Sequence, residues 1–536
     1  MKRLFLLLLP LCLLLTSCDY DAGIDQFFRY NISAEPATLD PQLATDPDTQ
    51  TVLLNCFEGL MRLDADGEPI AGVAERYEVS PDGLRYTFHL RSDAVWRVSK
   101  EETRPVTAQD FVFAFQRIYS AATASPAAET FACIRNSAEV LSGALEPDAL
   151  GVTASDDHTL VISLSYRNED LLYLLTTTAA MPCNEAFFTS TGGKYGLESY
   201  SILCNGPFYL QSWTHGETLI LRRSLVYYDA NNVLPSGVAF YIDEPTVFLD
   251  KFIQGNSDCA LCSGLDGGRL AGQGYDTVVM DNTTWLLAFN LQNEVLGNER
   301  VRQALVQGMD LLAMEQALPS YLTRARSIVP ACVELGGLSY REAAGDSTLP
   351  FDPRAAQDAF ADGMAQVAAQ TEQRLTRFPT QSVLVPDIGS HSLLISLVQP
   401  VWQQQLLAFV NIEKLPMDEI YNRMAKGDWS MAVLPVTAEY NDPASVLRRF
   451  SSGNVANPVG YADAQYDDLL HSAASAHERD RAAALYAQAE RRLLESAVVV
   501  PLYDEATCCA FGKGVSGIEV TPFGGRLYFA HARRYD

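Results

Sequence analysis

The sequence predicts an α/β protein of two or three domains, and three observations support that fold class. The chain has 536 residues, whereas a single hydrophobic core rarely serves more than about 250 to 300. Strand and helix patterns alternate through residues 381–443, as they do where helices cover a parallel sheet. Residues 57–197 are instead rich in short alternating stretches separated by turn residues, which reads as a sheet-rich segment.

The first element lies outside the fold. Residues 1–17, MKRLFLLLLPLCLLLTS, have a basic start, a short leucine-rich run and a small-residue end. This is an export signal, too short for a spanning helix of about 20 residues. A polar tether follows to residue 26, and no later stretch is apolar enough to cross a bilayer. Within 57–197, LRYTFHLR and HTLVISLSY read as strands, with SPDG and DADG as turns. DADG at 64–67 looks like the start of a calcium loop, but its glycine falls two places early, so a hairpin turn is the reading. TAQDFVFAFQRIYSA at 107–121 is a helix with Thr107 as its cap.

In the later region, QSVLVPD is a strand, SHSLLISLVQPVWQQQLLAF a helix interrupted by Pro400, and FVNIEKL a strand. MDEIYNRMAKG is a helix that stops at Gly427 before the strand WSMAVLPV. Right-handed crossovers make this half of a parallel sheet. Ligands settle beyond the carboxyl ends of such strands, and both His391 and Glu439 fall on that edge. Glu439 belongs to TAEYNDP, residues 437–443. Three roles stand open for it: pairing with a ligand's cation, holding a metal, or capping the next turn. In the last case Asn441 and Asp442 bond their own backbone ahead of Pro443.

Composition narrows the function classes. The formal net charge is -27, so a phosphate backbone would be repelled and no nucleic acid partner is expected. The acidity itself fits a surface kept soluble. Cys259 and Cys262 have metal-knuckle spacing but no second pair, so no metal site is expected. The chain carries 7 scattered histidines and no HExxH, GxSxG or P-loop; no catalytic constellation can be assembled. Neither an enzyme activity nor a cofactor is expected.

Several runs then resemble a known family. They are EPATLDPQLATD (35–46), FEGLMRLDADGEPIAGVAERYEVSPDGLRYTFHLR (57–91), VTAQDFVFAFQRIYSAATASP (106–126), NGPFYLQSW (205–213), RRSLVYYDANN (222–232), NERVRQALVQGMD (298–310) and TAEYNDP itself. In this order they resemble the extracellular solute-binding proteins of family 5, the oligopeptide and dipeptide receptors of bacterial ABC importers. LTSC at 15–18 also resembles a lipoprotein processing site. That resemblance implies a diacylated Cys18 and a lasting lipid anchor on the outer face of the cytoplasmic membrane.

The resemblance implies a two-lobed α/β fold of the periplasmic-binding-protein type (type II, the large cluster C form), with two hinge strands and a subdomain inserted into the first lobe. The base of that lobe would comprise 27–56, 198–280 and 495–536, the insert 57–197, and the second lobe 281–494. It also implies a monomer that receives a peptide or other small solute and delivers it to permease and ATPase subunits. The alternatives are a nickel complex, an amine, a glycan fragment, or a sensor role. Family receptors hold an extended peptide by its main chain and its ammonium end by an aspartate in the motif that here carries Glu439, one methylene longer. By the same resemblance His391 lies near the ligand's carboxyl end, and Trp285 lies over the ligand or packs in the core. Thr45 and Asp46 line the cleft from the first lobe, and Asn441 is counted with the ligand-side motif. Val433 stands where some receptors have an arginine for the ligand carboxylate. Met417 and Val436 stand where pocket aromatics are found. The implied cleft is therefore less basic and less aromatic than usual.

Overall fold

A computed structural model describes residues 26–535 except 169, 336, 371–376, 388, 390, 455–456, 477 and 524–525. The export signal and the lipidation residue Cys18 lie outside the described residues.

In the first lobe, strand Phe27–Ile32 runs parallel to Gly237–Ile242. That strand pairs antiparallel with Thr218–Arg223, which pairs with Phe208–Thr214. Alternation along Phe27–Ile32 turns Phe28, Tyr30 and Ile32 inward. A second four-stranded sheet, all antiparallel, is built from Ala74–Val79, Arg85–Leu90, Thr159–Ser163 and Val152–Asp156. The DADG segment closes a hairpin between Met61–Leu63 and Pro69–Ala71. Helix Ala108–Ile118 covers this second sheet. Its first turn is fixed by Asp110, whose Oδ2 accepts from Thr107 N at 2.9 Å and from Trp96 Nε1 at 3.0 Å. One hydrophobic core joins Phe28, Ile32 and Phe240 to Phe88, Phe111 and Ile162, so the inserted sheet shares the core of the base.

The second lobe is organised by a seven-stranded sheet. Gln381–Pro386 lies parallel to both Val410–Leu415 and Met431–Thr437, with helices His391–Leu406 and Met417–Ala425 as crossovers. The helix predicted to be interrupted at Pro400 runs through it. Pro400 sits on the exposed side, where water can satisfy the carbonyl that loses its donor. Opposite it, Leu394, Ile395, Val398 and Trp402 hold the helix to the core. The two faces of the sheet bury separate clusters: Leu286, Ala288, Ala432 and Leu434 on one side, Leu287, Phe289, Met431 and Val433 on the other.

Two strands of this sheet are long. Asp276–Phe289 has 14 residues and Val499–Phe511 has 13, and they pair antiparallel. At one end Met280 and Cys509 pack into the first-lobe core; at the other Leu287 and Tyr503 pack into the second. The ladder slips between Met280 and Thr283, and again between Trp285 and Leu286. Both strands therefore change cores where their pairing is least regular. Arg341 is positioned over this stretch, its Nη2 donating to Asp504 Oδ1 at 2.7 Å and to Thr284 Oγ1 at 2.9 Å. Among the described residues no helix is long and apolar enough to cross a membrane.

Candidate binding site between the lobes

The parallel strands Gln381–Pro386 and Met431–Thr437 end on one edge of the second-lobe sheet, facing the first lobe. There the chain leaving Met431–Thr437 presents Glu439 and turns into the short helix Ala444–Leu447. A cavity of about 360 Å³ lies between this turn and the first lobe. Gln42, Thr45 and Glu129 line it from one side; Glu439, Arg448 and Arg449 line it from the other.

The first-lobe wall is held rigidly. Arg117 donates from Nη1 to Gln42 Oε1 at 2.6 Å and to Asp40 Oδ1 at 3.1 Å. Gln42 Nε2 in turn donates to Met181 O at 2.9 Å. Burying Arg117 would be costly without Asp40 to match its charge, and the pair pins the loop that carries Thr45. On the facing wall the Glu439 side chain is 47% exposed, and its Oε1 accepts from Arg449 Nη2 at 3.4 Å. The same Arg449 nitrogen donates to Thr437 O at 3.1 Å. Buried Arg526 donates to the main-chain oxygen of Glu439 at 3.1 Å. Burial lowers the Arg526 pKa, with Glu439 acting against it.

The turn after Glu439 is capped by Asp442, whose Oδ1 accepts from Ala444 N at 2.7 Å. Asn441 Oδ1 accepts from Glu334 N at 2.7 Å instead, which ties the motif to strand Glu334–Leu335. Beside the cavity the lobes meet in a polar seam. Tyr173 and Tyr440 are 6.2 Å apart between ring centres, and Tyr166 and His471 are 4.2 Å apart. Asp442 of the second lobe shares a hydrogen bond with Asp170 of the first, and Arg448 Nη2 lies 3.9 Å from Asp170 Oδ2. Burial, and then the neighbouring Asp170 charge, push the Asp442 carboxyl well above the usual range. Burial works against the Arg448 charge, but Tyr440, Tyr486 and Asp170 outweigh it and raise its pKa.

The sequence profile of bacterial extracellular solute-binding proteins, family 5 (middle), matches residues 68–458. The chain belongs to that family. Similar family 5 proteins include the dipeptide-binding protein DppE of Bacillus subtilis, 26% identical over 501 residues, with 92% of this chain and 89% of that one covered. Another relative is YgiS of Escherichia coli, a probable deoxycholate-binding periplasmic protein. It is 27% identical over 487 residues, with 89% of this chain and 88% of YgiS covered. The substrate-binding domain of an oligopeptide ABC transporter from Bacillus anthracis superposes with a TM-score of 0.80 at 26% identity, with 96% of this chain and 99% of that one covered. The fold is accordingly the two-lobed α/β form of periplasmic-binding-protein type, with an inserted sheet in the first lobe and two hinge strands.

Against this family 5 frame, the structure brings Glu439 and Thr45 to one cavity and places the other singled-out residues elsewhere. Asp46 caps helix Pro47–Cys56, accepting from Thr49 N at 2.8 Å. Val433 is fully buried and Val436 nearly so, in opposite cores. Met417 opens helix Met417–Ala425 and packs partly buried against the second-lobe core. Trp285 and His391 pack with ring centres 4.0 Å apart and their planes tilted by 41°. Trp285 Nε1 donates to Glu505 Oε2 at 2.8 Å, and His391 Nδ1 hydrogen-bonds the Tyr503 hydroxyl. Burial lowers the His391 pKa to about 4, so the ring is neutral near pH 7. Arg449, Glu129 and Asp170 were not visible from the sequence. Ten positions of chain separate Glu439 from Arg449 across a strand end, a turn and a short helix, and no single periodicity spans that path.

Proposed function

We propose that this chain is the extracytoplasmic substrate-binding lipoprotein of an ABC importer, taking short peptides into the interlobe cavity and presenting them to a permease. The observation that carries the reading is the position of Glu439. The carboxylate of the family motif opens into a cavity whose other wall belongs to the opposite lobe. A ligand amine bound there would touch both lobes, and only contacts made in the closed state can drive closure.

Relatives named for a dipeptide and for deoxycholate are about equally similar to this chain, so identity does not choose the ligand class. The lining does. Two carboxylates, two guanidiniums and the amide and hydroxyl of Gln42 and Thr45 suit a peptide's main chain and charged ends better than an apolar steroid body. Anchoring through Cys18 would keep the protein beside its permease. Hinge bending would occur where Asp276–Phe289 and Val499–Phe511 pass between cores, with lobe limits as implied by the family resemblance.

Native mass spectrometry of protein purified from rich medium tests the reading. Co-purified short peptides, lost on partial unfolding, are the expected result. A bound steroid or metal complex in place of peptide would overturn it.

A further inference from the structure

We infer that Arg449 determines which ligands this cavity accepts: with Glu439 it selects a short zwitterion of dipeptide size, whose ammonium and free carboxylate take over the two halves of the internal ion pair. The inference rests on the peptide reading above and deepens it.

The pair is built to be exchanged. Arg449 Nη2 and Glu439 Oε1 are 3.4 Å apart, longer than the 2.7–2.9 Å or so of a strong charge-assisted bond. Their side chains remain 28% and 47% exposed, and both line the cavity. A ligand bearing only a cation would bring its ammonium to Glu439 beside the Arg449 guanidinium, which repels it. A ligand bearing only an anion meets the reverse problem at Glu439. A molecule carrying both charges a short distance apart relieves both. The planar fork of an arginine also pairs naturally with a carboxylate.

The other charged groups of the cavity do not compete for this role. Arg448 turns toward Asp170 in the seam, with Nη2 3.9 Å from Oδ2. Glu129 is disfavoured as an anion by burial, which raises its pKa. The cavity, about 360 Å³, lies near the lower end of the roughly 300–1,000 Å³ typical of small-molecule sites. A dipeptide is favoured over a longer chain, whose carboxylate would lie too far from its ammonium to reach both residues.

Calorimetric titration of the mature protein with alanyl-alanine, alanyl-alaninamide, N-acetyl-alanyl-alanine and tetra-alanine tests this. The wild type is expected to bind alanyl-alanine at least about 10-fold more tightly than the amide, the scale of one charged hydrogen bond. Arg449→Gln is expected to weaken alanyl-alanine and bring the two within about 2-fold, while the penalty for N-acetylation persists. Arg449→Lys is expected to restore part of the preference for the free acid. A melting temperature close to wild type shows that loss of the bond to Thr437 has not unfolded the wall. Equal wild-type binding of acid and amide, or an unchanged ratio in Arg449→Gln, would overturn the inference and leave the peptide reading intact. Binding of none of the four peptides would overturn the peptide reading, and this inference with it.

Discussion

His391 and Glu439 sit at the ends of neighbouring strands, yet the structure gives them opposite chemistry. His391 is 4% exposed and packed at a tilt against Trp285, and burial lowers its pKa from 6.5 to about 4. Between those values the unfolded chain binds the proton and the folded one does not. Stability is therefore lost as pH falls through that window, by a few kcal/mol at most. His391→Gln is expected to be less stable at pH 7 but to show a smaller fall in urea midpoint between pH 7 and 4. An undiminished fall would assign the acid sensitivity to other groups. That His391 lies at a strand end was legible from the pattern of the chain. Its enclosure by Trp285 and Tyr503 was not, because those residues come from the two hinge strands, more than 100 positions away from it in opposite directions.

At the scale of elements, two contacts stand out, one on the long paired strands and one between the lobes. The first is the clamp on the hinge strands, where Arg341 reaches Asp504 and Thr284. Arg341→Leu leaves the Asp504 carboxylate enclosed without a counter-charge, at a cost of about 3 kcal/mol. A lowered urea midpoint, partly restored by adding Asp504→Asn, would show it; no shift would place the clamp outside the energetics of the fold. The second contact is the seam between the stretch that leads into helix Leu171–Leu174 and the turn before Ala444–Leu447. Asp170 and Asp442 meet there among Arg448, Arg479, Tyr166, Tyr173, Tyr440, Tyr486 and His471. Burial in this seam, and then the Asp170 charge, raise the Asp442 pKa, so separating the lobes is expected to release a proton. The closed form's stabilisation is complete below the ordinary carboxylate range and declines as pH rises toward the closed-form value. Ligand affinity is expected to weaken with rising pH over that interval, and Asp442→Asn to flatten the profile. A wild-type profile without slope would contradict the shared proton. Neither contact was legible in the sequence, since Arg341 lies 57 positions from Thr284 and 163 from Asp504, and Asp170 and Asp442 are further apart still.

At the scale of the whole molecule, legibility followed the range of the interactions. The strand, helix, strand, helix, strand unit of 381–437 could be read directly, because each crossover is local and its apolar periodicity is complete. The first-lobe sheet could not, because Phe27 pairs with Gly237 and nothing near either strand announces its partner. The candidate cavity was half legible: Glu439 and Thr45 were marked by family motifs, whereas Arg449 reaches the cavity only once the turn after the strand has formed. In the proposed function, the Glu439 carboxylate draws the two lobes together around a ligand amine. Calorimetry of wild type and Glu439→Gln with alanyl-alanine and its N-acetyl derivative tests that most directly. Glu439→Gln is expected to lose about 1.5–3 kcal/mol of affinity for the free amine, the scale of a charged hydrogen bond, with little change for the acetylated peptide. Equal affinity of wild type and Glu439→Gln for the free amine would contradict it.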